Sequence, residues 1–290
     1  MSLSYGLIES IDLRHPRLPA ELEGLRIAHF SDPHLPVAAR HTARALRQLA
    51  RIRVDLIALT GDYMDRHRPP DAAREMLEQL AADFRPRLGI VGVFGNHDRP
   101  PLMDDPPAAD TIRWLRETVH DVPGLPLRLA GLGERGYDPP DPAKLALQLG
   151  KAKLAFAHDI STPPVTATQS PNHQTAKSPN HPFSLFLLHR PVHILHAAAM
   201  HADLALAGHS HGGQLRTPWG QSIHNSSDLP LDRTAGLMRY RDTLMAVTRG
   251  LGRSRLTFRL FCPPHLPVYT LRRGHLPRTE REDVVCFEPW

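Results

Sequence analysis

Asp32 and His34 stand two residues apart, and so do His209 and His211 in the run G-H-S-H-G-G. Asp62 follows Gly61, Asn96 follows Gly95, and His189 ends the apolar run FSLFLL. Histidine is costly to bury unless something uses its ring nitrogens, so a pair closing an apolar run calls for a ligand. In an extended chain residues i and i+2 project to one side. Pro33 fixes its own φ and biases Asp32 towards extension, so D-P-H is expected to present both side chains together. The neighbouring glycines leave room where backbone must turn against a ligand. Two carboxylates, one amide oxygen and four imidazoles, with no thiolate, make a hard-to-borderline donor set. It suits Mn, Fe, Zn or Co and argues against a structural cysteine-zinc site.

Seven donors are too many for one tetrahedral ion and about right for two divalent ions sharing a carboxylate, with His209 and His211 giving one imidazole to each. Two such ions, set against Asp32, Asp62 and a bridging hydroxide, leave about one net positive charge. Such a site attracts a phosphate anion while still lowering the pKa of bound water.

The elements that must position these residues share one plan, a short apolar strand ending in a polar cluster. They are LRIAHFSDPHL (25–35), VDLIALTGDYMD (54–65), LGIVGVFGNHD (88–98), FSLFLLHRP (183–191) and DLALAGHSHGG (203–213). Helical spacing predicts helices over 38–51, over 71–84 with Asp71 as N-cap, over 109–119 with Ile112, Leu115 and Val119 facing inward, and over 192–201. Strands alternating with helices imply βαβ units and a largely parallel sheet, whose sites form at the carboxyl ends of its strands. Three later runs, 244–252, 255–261 and 266–271, read as strands without helices between them. They suggest a second sheet packed on the first within one domain spanning 1–290. Residues 159–182 are rich in Pro, Ser, Thr and Asn, carry S-P-N-H twice, and read as a flexible insertion of no catalytic consequence, with His173 and His181 as solvated loop residues.

The motifs D-x-H (32–34), G-D (61–62), G-N-H-D (95–98), a lone His at 189 and G-H-x-H (208–211), in this order and at strand ends, resemble the calcineurin-like metallophosphoesterases. The resemblance spans roughly residues 25–272. It implies an α/β fold of two mixed sheets packed face to face and flanked by helices. It also implies a binuclear metal centre: Asp32, His34, Asp62 and His211 on one ion, Asp62, Asn96, His189 and His209 on the other, with Asp62 bridging. His97 is implied to face the phosphate and protonate the leaving oxygen, with Asp98 orienting it. Arg99 and Arg190 flank this site as candidates to hold substrate phosphate. TRGLG (248–252) and LFCPP (260–264) are similar to a membrane-associated bacterial branch, some of whose members cleave UDP-diacylglucosamine.

The implied activity is hydrolysis of a phosphodiester or pyrophosphate, on a phosphorylated small molecule or a lipid-linked substrate. The alternatives are a soluble nucleotide phosphodiesterase or nuclease, and a metal-free binding scaffold. A scaffold would show lost ligands, and none is lost. Aromatic residues are only 6% of the 290 and no basic run is interleaved with them, so stacking platforms for nucleic acid are scarce. The net charge of +5 suits an anionic partner, including an acidic membrane surface. Two distant cysteines, Cys262 and Cys286, favour a reducing compartment, and no signal-peptide pattern is present. No run approaches the ~18 apolar residues of a membrane span, so a cytoplasmic protein with at most peripheral contact at the inner membrane surface is expected. RPPLMDDPP (99–107) and GLPLRL (124–129) are the expected apolar lip for that contact.

Overall fold

The computed structural model describes residues 7–134, 141, 142, 144, 181–225, 230–277 and 285–288. The insertion expected at 159–182 therefore lies outside the described residues, apart from His181 and Pro182.

Two mixed sheets carry the fold. The first joins six strands, β1 (Ile8–His15), β12 (Leu266–Arg273), β2 (Arg26–Phe30), β3 (Leu56–Leu59), β4 (Ile90–Gly92) and β5 (Ile112–Trp114), in that spatial order. The second joins seven, β13 (Val285–Glu288), β10 (Gly236–Tyr240), β11 (Thr243–Val247), β9 (Leu204–Ala207), β8 (Phe183–Leu188), β7 (Leu127–Leu132) and β6 (Val119–Asp121). Strands β2 to β5 run parallel, as do β7, β8, β9 and β11. Apart from the edge strand β5, where Arg113 is exposed, their short apolar runs are buried on both faces, which is the signature of central parallel strands.

A period of two sorts each run between two cores. In β8, Phe183, Leu185 and Leu187 join Ile27, Leu56 and Val91 of the first sheet in the layer between the sheets. Phe186 and Leu188 point the other way, onto α4 (Ile194–Ala199) through Ile194 and Ala197. On the far side, Phe30, Ile57 and Leu59 pack on α1 (Ala39–Leu49) and α2 (Asp71–Asp83). Burying a leucine in such a layer stabilises by about 1.5–3 kcal/mol. The layers bring the carboxyl ends of β2, β3 and β4 against those of β8, β9 and β11, so the polar clusters that follow them meet along one edge.

Four expectations are corrected. Residues 109–119 form no helix: Ile112–Trp114 is the edge strand β5 on β4, and Val119 begins β6. An open edge at β4 rewards extended pairing, and Trp114 stacks on Phe94 with ring centroids 4.3 Å apart. Asp71 is the first helical residue of α2, with Pro70 at the N-cap and no side-chain cap. The run 266–271 joins the first sheet between β1 and β2, while β11 joins the second. Residues 255–261 are not a strand, because Arg259 turns inward there. Its guanidinium reaches the carbonyls of His211, Arg249, Gly250, Gly252 and Cys262 and curls the chain around itself.

Candidate metal centre

All seven metal-ligand candidates lie at this edge. Asp32 follows β2, Asp62 follows β3, Asn96 follows β4, His189 follows β8, and His209 and His211 follow β9. Their donor atoms fall into two groups. In one, His34 Nε2 lies 3.0 Å from His211 Nε2 and 3.4 Å from Asp62 Oδ2, and His211 Nε2 lies 3.8 Å from Asp32 Oδ1. In the other, His189 Nε2 lies 3.3 Å from Asp62 Oδ1, 2.9 Å from Asn96 Oδ1 and 3.2 Å from His209 Nδ1. The two Asp62 oxygens face one group each.

Ligand atoms about 2.1 Å from a shared ion, at ordinary angles, stand about 3.0–3.4 Å apart, close to these separations. His34 and His211 Nε2 stand within hydrogen-bond range of each other, and with the Asp32 and Asp62 oxygens beside them they form the clustered spacing that a shared cation takes. The donor set therefore fits divalent metal. The charge states of His34, His209 and His211 agree. Burial keeps His34 neutral down to about 4 and pushes His209 and His211 well below the ordinary range, leaving lone pairs free. Burial pushes Asp32 up to about 7, with the Asp62 charge adding to the rise. Burial also opposes charge on His189, but Asp62 and Asp32 outweigh it and lift that imidazole to about 10.

The backbone departs from the extended geometry expected at the i, i+2 pairs. Asp32, His34, Asp62, His209 and His211 all have positive φ, between 44° and 67°. An ordinary side chain gives up roughly 1–2 kcal/mol there, though Asp and His are enriched among exceptions. Tertiary hydrogen bonds impose it and override the bias of Pro33. The amide of Asp32 donates to Gly61 O, that of His34 to Asp62 O, and that of His209 to both Asp32 oxygens. Gly95 is required by crowding: a Cβ there would sit 2.2 Å from Asp62 Oδ1 and 2.7 Å from His189 Cε1.

Several positioning residues escaped the sequence reading. His189 Nδ1 lies 2.7 Å from Thr60 O, which directs Nε2 at the centre. Ser31 Oγ donates to Asp32 Oδ2 at 2.5 Å, Thr60 Oγ1 donates to Ser31 Oγ at 2.7 Å, and His29 Nε2 meets Thr60 Oγ1 at 2.8 Å. The TRGLG run forms a collar on the Asp32 turn: Leu251 N donates to Ser31 O, and Gly252 N donates to Asp32 O. A Cβ on Gly252 would lie 2.4 Å from Asp32 O. Gly252→Ala is therefore expected to push the Asp32 turn aside, costing about 1–3 kcal/mol as other overpacking does, and to lower metal content after loading. Elemental analysis beside circular dichroism checks this. Full metal content in a folded variant would remove the collar from any role at the centre.

Asp98 takes a different place from the one expected. Its oxygens accept the amides of Asp62, Tyr63 and Gly95 at 2.8–2.9 Å, and that of Met64 at 3.3 Å. No hydrogen bond to His97 is among them, because the turn carrying Asp62 uses both oxygens. His97 donates its backbone amide to Asp62 Oδ1 at 2.8 Å, and its ring stands edge-on to His34 with centroids 4.6 Å apart. Its Nδ1 is buried with no hydrogen-bond partner among the described residues. Arg190 lies beside Glu134, 3.4 Å from Nε to Oε1, and close enough for its charge to act on His209. Arg99 is exposed at the N-cap of α3 (Pro100–Met103).

Comparison with known proteins gives this geometry its context. YkoQ, an uncharacterized metallophosphoesterase of Bacillus subtilis, is 26% identical over 88% of this chain and 86% of its own length. LpxG of Chlamydia muridarum, a UDP-2,3-diacylglucosamine pyrophosphatase, is 25% identical over 88% of this chain and 86% of its own. The phosphodiesterase YaeI of Escherichia coli is 27% identical over 75% and 70%. The calcineurin-like phosphoesterase family model matches residues 25–213, which takes in every one of the seven donors. The chain belongs to the calcineurin-like phosphoesterases and is a metal-dependent hydrolase of phosphoric esters.

Proposed function

We propose that this protein uses two divalent ions to hydrolyse a phosphodiester or pyrophosphate bond in a lipid-linked substrate. The observation that carries the reading is the division of seven donors, six buried and His209 half-buried, into two groups that share Asp62. In this reading Asp32, His34, Asp62 and His211 hold one ion, and Asp62, Asn96, His189 and His209 hold the other. Ions bound there supply a Lewis acid for the phosphoryl oxygens and lower the pKa of water at the phosphorus. The remaining chemistry belongs to the chain. His97 projects beside both groups with an unengaged Nδ1, in position to give a proton to the departing oxygen. Asp98 positions Asp62 through its backbone rather than orienting His97. Arg190 adds positive charge beside His209, where a substrate phosphate would gain from it.

The lipid-linked part rests on the relative LpxG, whose named substrate joins a pyrophosphate to an acylated sugar. Among the described residues no helix is long and apolar enough to cross a membrane. The test compares metal-loaded protein on bis(4-nitrophenyl) phosphate, 4-nitrophenyl phosphate, a lipid-linked pyrophosphate in detergent and a soluble nucleotide diester. Fastest turnover of the lipid-linked substrate is the expected result. Preference for the nucleotide diester would leave a soluble nucleotide phosphodiesterase, and inhibition by single-stranded DNA would point to a nuclease. No turnover of any ester at full metal occupancy would overturn the reading.

A further inference from the structure

The expected apolar lip does not exist where the sequence suggested it. Leu102 and Met103 of 99–107 are buried, as are Leu127 and Leu129 of 124–129. Five of the seven large exposed apolar side chains among the described residues gather elsewhere, Val37 and Leu231 lying apart from them. Trp219 is 84% exposed, and Ile223, Phe258, Leu260 and Phe261 are each between 44% and 56% exposed. They sit on two segments tied together beside the metal centre. Leu260 N donates to Gln214 O at 3.0 Å and Arg216 N donates to Leu260 O at 2.9 Å. On the other side of the same run, Ile223 N donates to Leu215 O at 3.0 Å. The turn Thr217–Gly220 closes this ribbon, with Gly220 N on Thr217 O, and lifts Trp219 to its tip. The ribbon leaves the centre directly from His211, and Gln214 Nε2 binds Leu256 O and Phe258 O across it.

The segments that form and flank the ribbon carry no carboxylate of their own; Glu9 reaches only Arg249 and His265 at their far end. Residues 33–50, 209–225 and 244–265 contain no Asp or Glu, in a chain that has 30. They carry Arg40 and Arg44 on α1, and Arg253 and Arg255 on the loop that bears Phe258. The two groups are neighbours: partial burial and the fields of Arg259, Arg253 and Arg44 lower the pKa of His41 at the start of α1. Exposed Trp and Phe rimmed by arginines, with no acid among them, form the surface that partitions into the headgroup layer of an acidic bilayer.

We infer that the ribbon 214–224, with the loop 253–261 and the first turns of α1, docks the protein on an anionic membrane surface and turns the metal centre towards the headgroups. A second copy of the chain is a poorer occupant, because an isologous contact would set these arginines against one another. The inference deepens the lipid-linked reading and rests on it for its purpose, but the docking itself needs no substrate.

The experiment uses the metal-loaded full chain and vesicles of phosphatidylcholine, with and without phosphatidylglycerol. Sedimentation with the anionic vesicles only, weakening as salt rises, is expected, with a blue shift of Trp emission that disappears in Trp219→Phe. The pair Arg253→Gln and Arg255→Gln should lower partitioning about 20- to 30-fold. Trp219→Ala and Phe258→Ser should lower it further, while hydrolysis of bis(4-nitrophenyl) phosphate stays unchanged. Trp219, Phe258 and Arg255 are exposed, and half-buried Arg253 touches only Thr257 O of its own loop, so the variants are expected to fold. Asp62→Asn should bind vesicles like the parent, which separates docking from catalysis. Failure of the parent protein to bind, or equal binding by all the variants, overturns the inference. So does a concentration-dependent dimer abolished by the same substitutions, which would assign the patch to a second copy. Vesicle binding by a protein that hydrolyses none of the esters would leave the docking standing and the catalytic reading fallen.

Discussion

Asp62→Ala, purified and loaded with manganese or zinc, is expected to hold neither ion and to hydrolyse at background rate. No other donor faces both groups: one Asp62 oxygen is 3.4 Å from His34 Nε2 and the other is 3.3 Å from His189 Nε2. Removing it leaves three donors on each side and takes away a charge that two neighbouring cations need between them. The loss spreads further, since His97 N donates to the same carboxylate and the turn bearing it is held by Asp98. By contrast, Asn96→Ala removes a donor from one group only, so it is expected to cost at most one ion. Elemental analysis on both variants, with thermal unfolding to show that each is folded, makes the comparison. Two ions retained by Asp62→Ala would sink the shared-ligand assignment, whatever happened to the rate.

The sequence made the donors legible because each stands where a short apolar run stops. Those runs could be read because β2, β3, β8 and β9 are buried on both faces, and alternation is then masked by continuous hydrophobicity. How the donors converge was not legible. The i, i+2 argument needs extended backbone, whereas Asp32, His34, His209 and His211 are left-handed. That conformation is set by carbonyls of Gly61 and Asp62 and by the Asp32 carboxylate itself, across separations of about 30 and 177 residues. A local rule has no access to such partners.

The same limit explains the other departures. Ile112, Leu115 and Val119 keep helical spacing, but the open edge of β4 and the face of Phe94 decide the matter. Asp98 reads as a companion to His97 because the two are adjacent, yet its oxygens serve Asp62, Tyr63 and Gly95. The alternating Leu256, Phe258 and Leu260 look like a strand with a buried face. What they lack is a sheet: Arg259 occupies the interior, and Phe258 and Leu260 are left in solvent. An exposed apolar run beside a functional centre violates the usual pattern, and such violations gather where a surface is used.

His97→Ala is expected to keep its metal and lose roughly 10²–10⁴-fold in rate on a substrate with a poor leaving group. The loss should shrink when the leaving group is 4-nitrophenolate, which departs without needing a proton. Among the described residues, His97 is the ring at the centre whose nitrogen is both buried and unpartnered while standing outside the two groups of proposed ligands. Its ring nevertheless lies near His34 and Asp62, within reach of a shared ion, so a ligand role is the competing account. The two accounts differ in what they predict. A ligand lost lowers metal content and slows good and poor leaving groups alike, since both need the ion. An acid lost leaves metal content alone and steepens the dependence of rate on leaving-group pKa. Burial, with the fields of His189 and Arg66 against that of Asp62, lowers the pKa of the His97 imidazole below its ordinary value. A lower pKa makes it a readier donor but a scarcer one as pH rises. The rate on the poor leaving group should therefore fall with rising pH in the parent, and this limb should vanish in His97→Ala. Equal loss on both leaving groups, or an ion missing from the variant, would assign His97 to the metal instead.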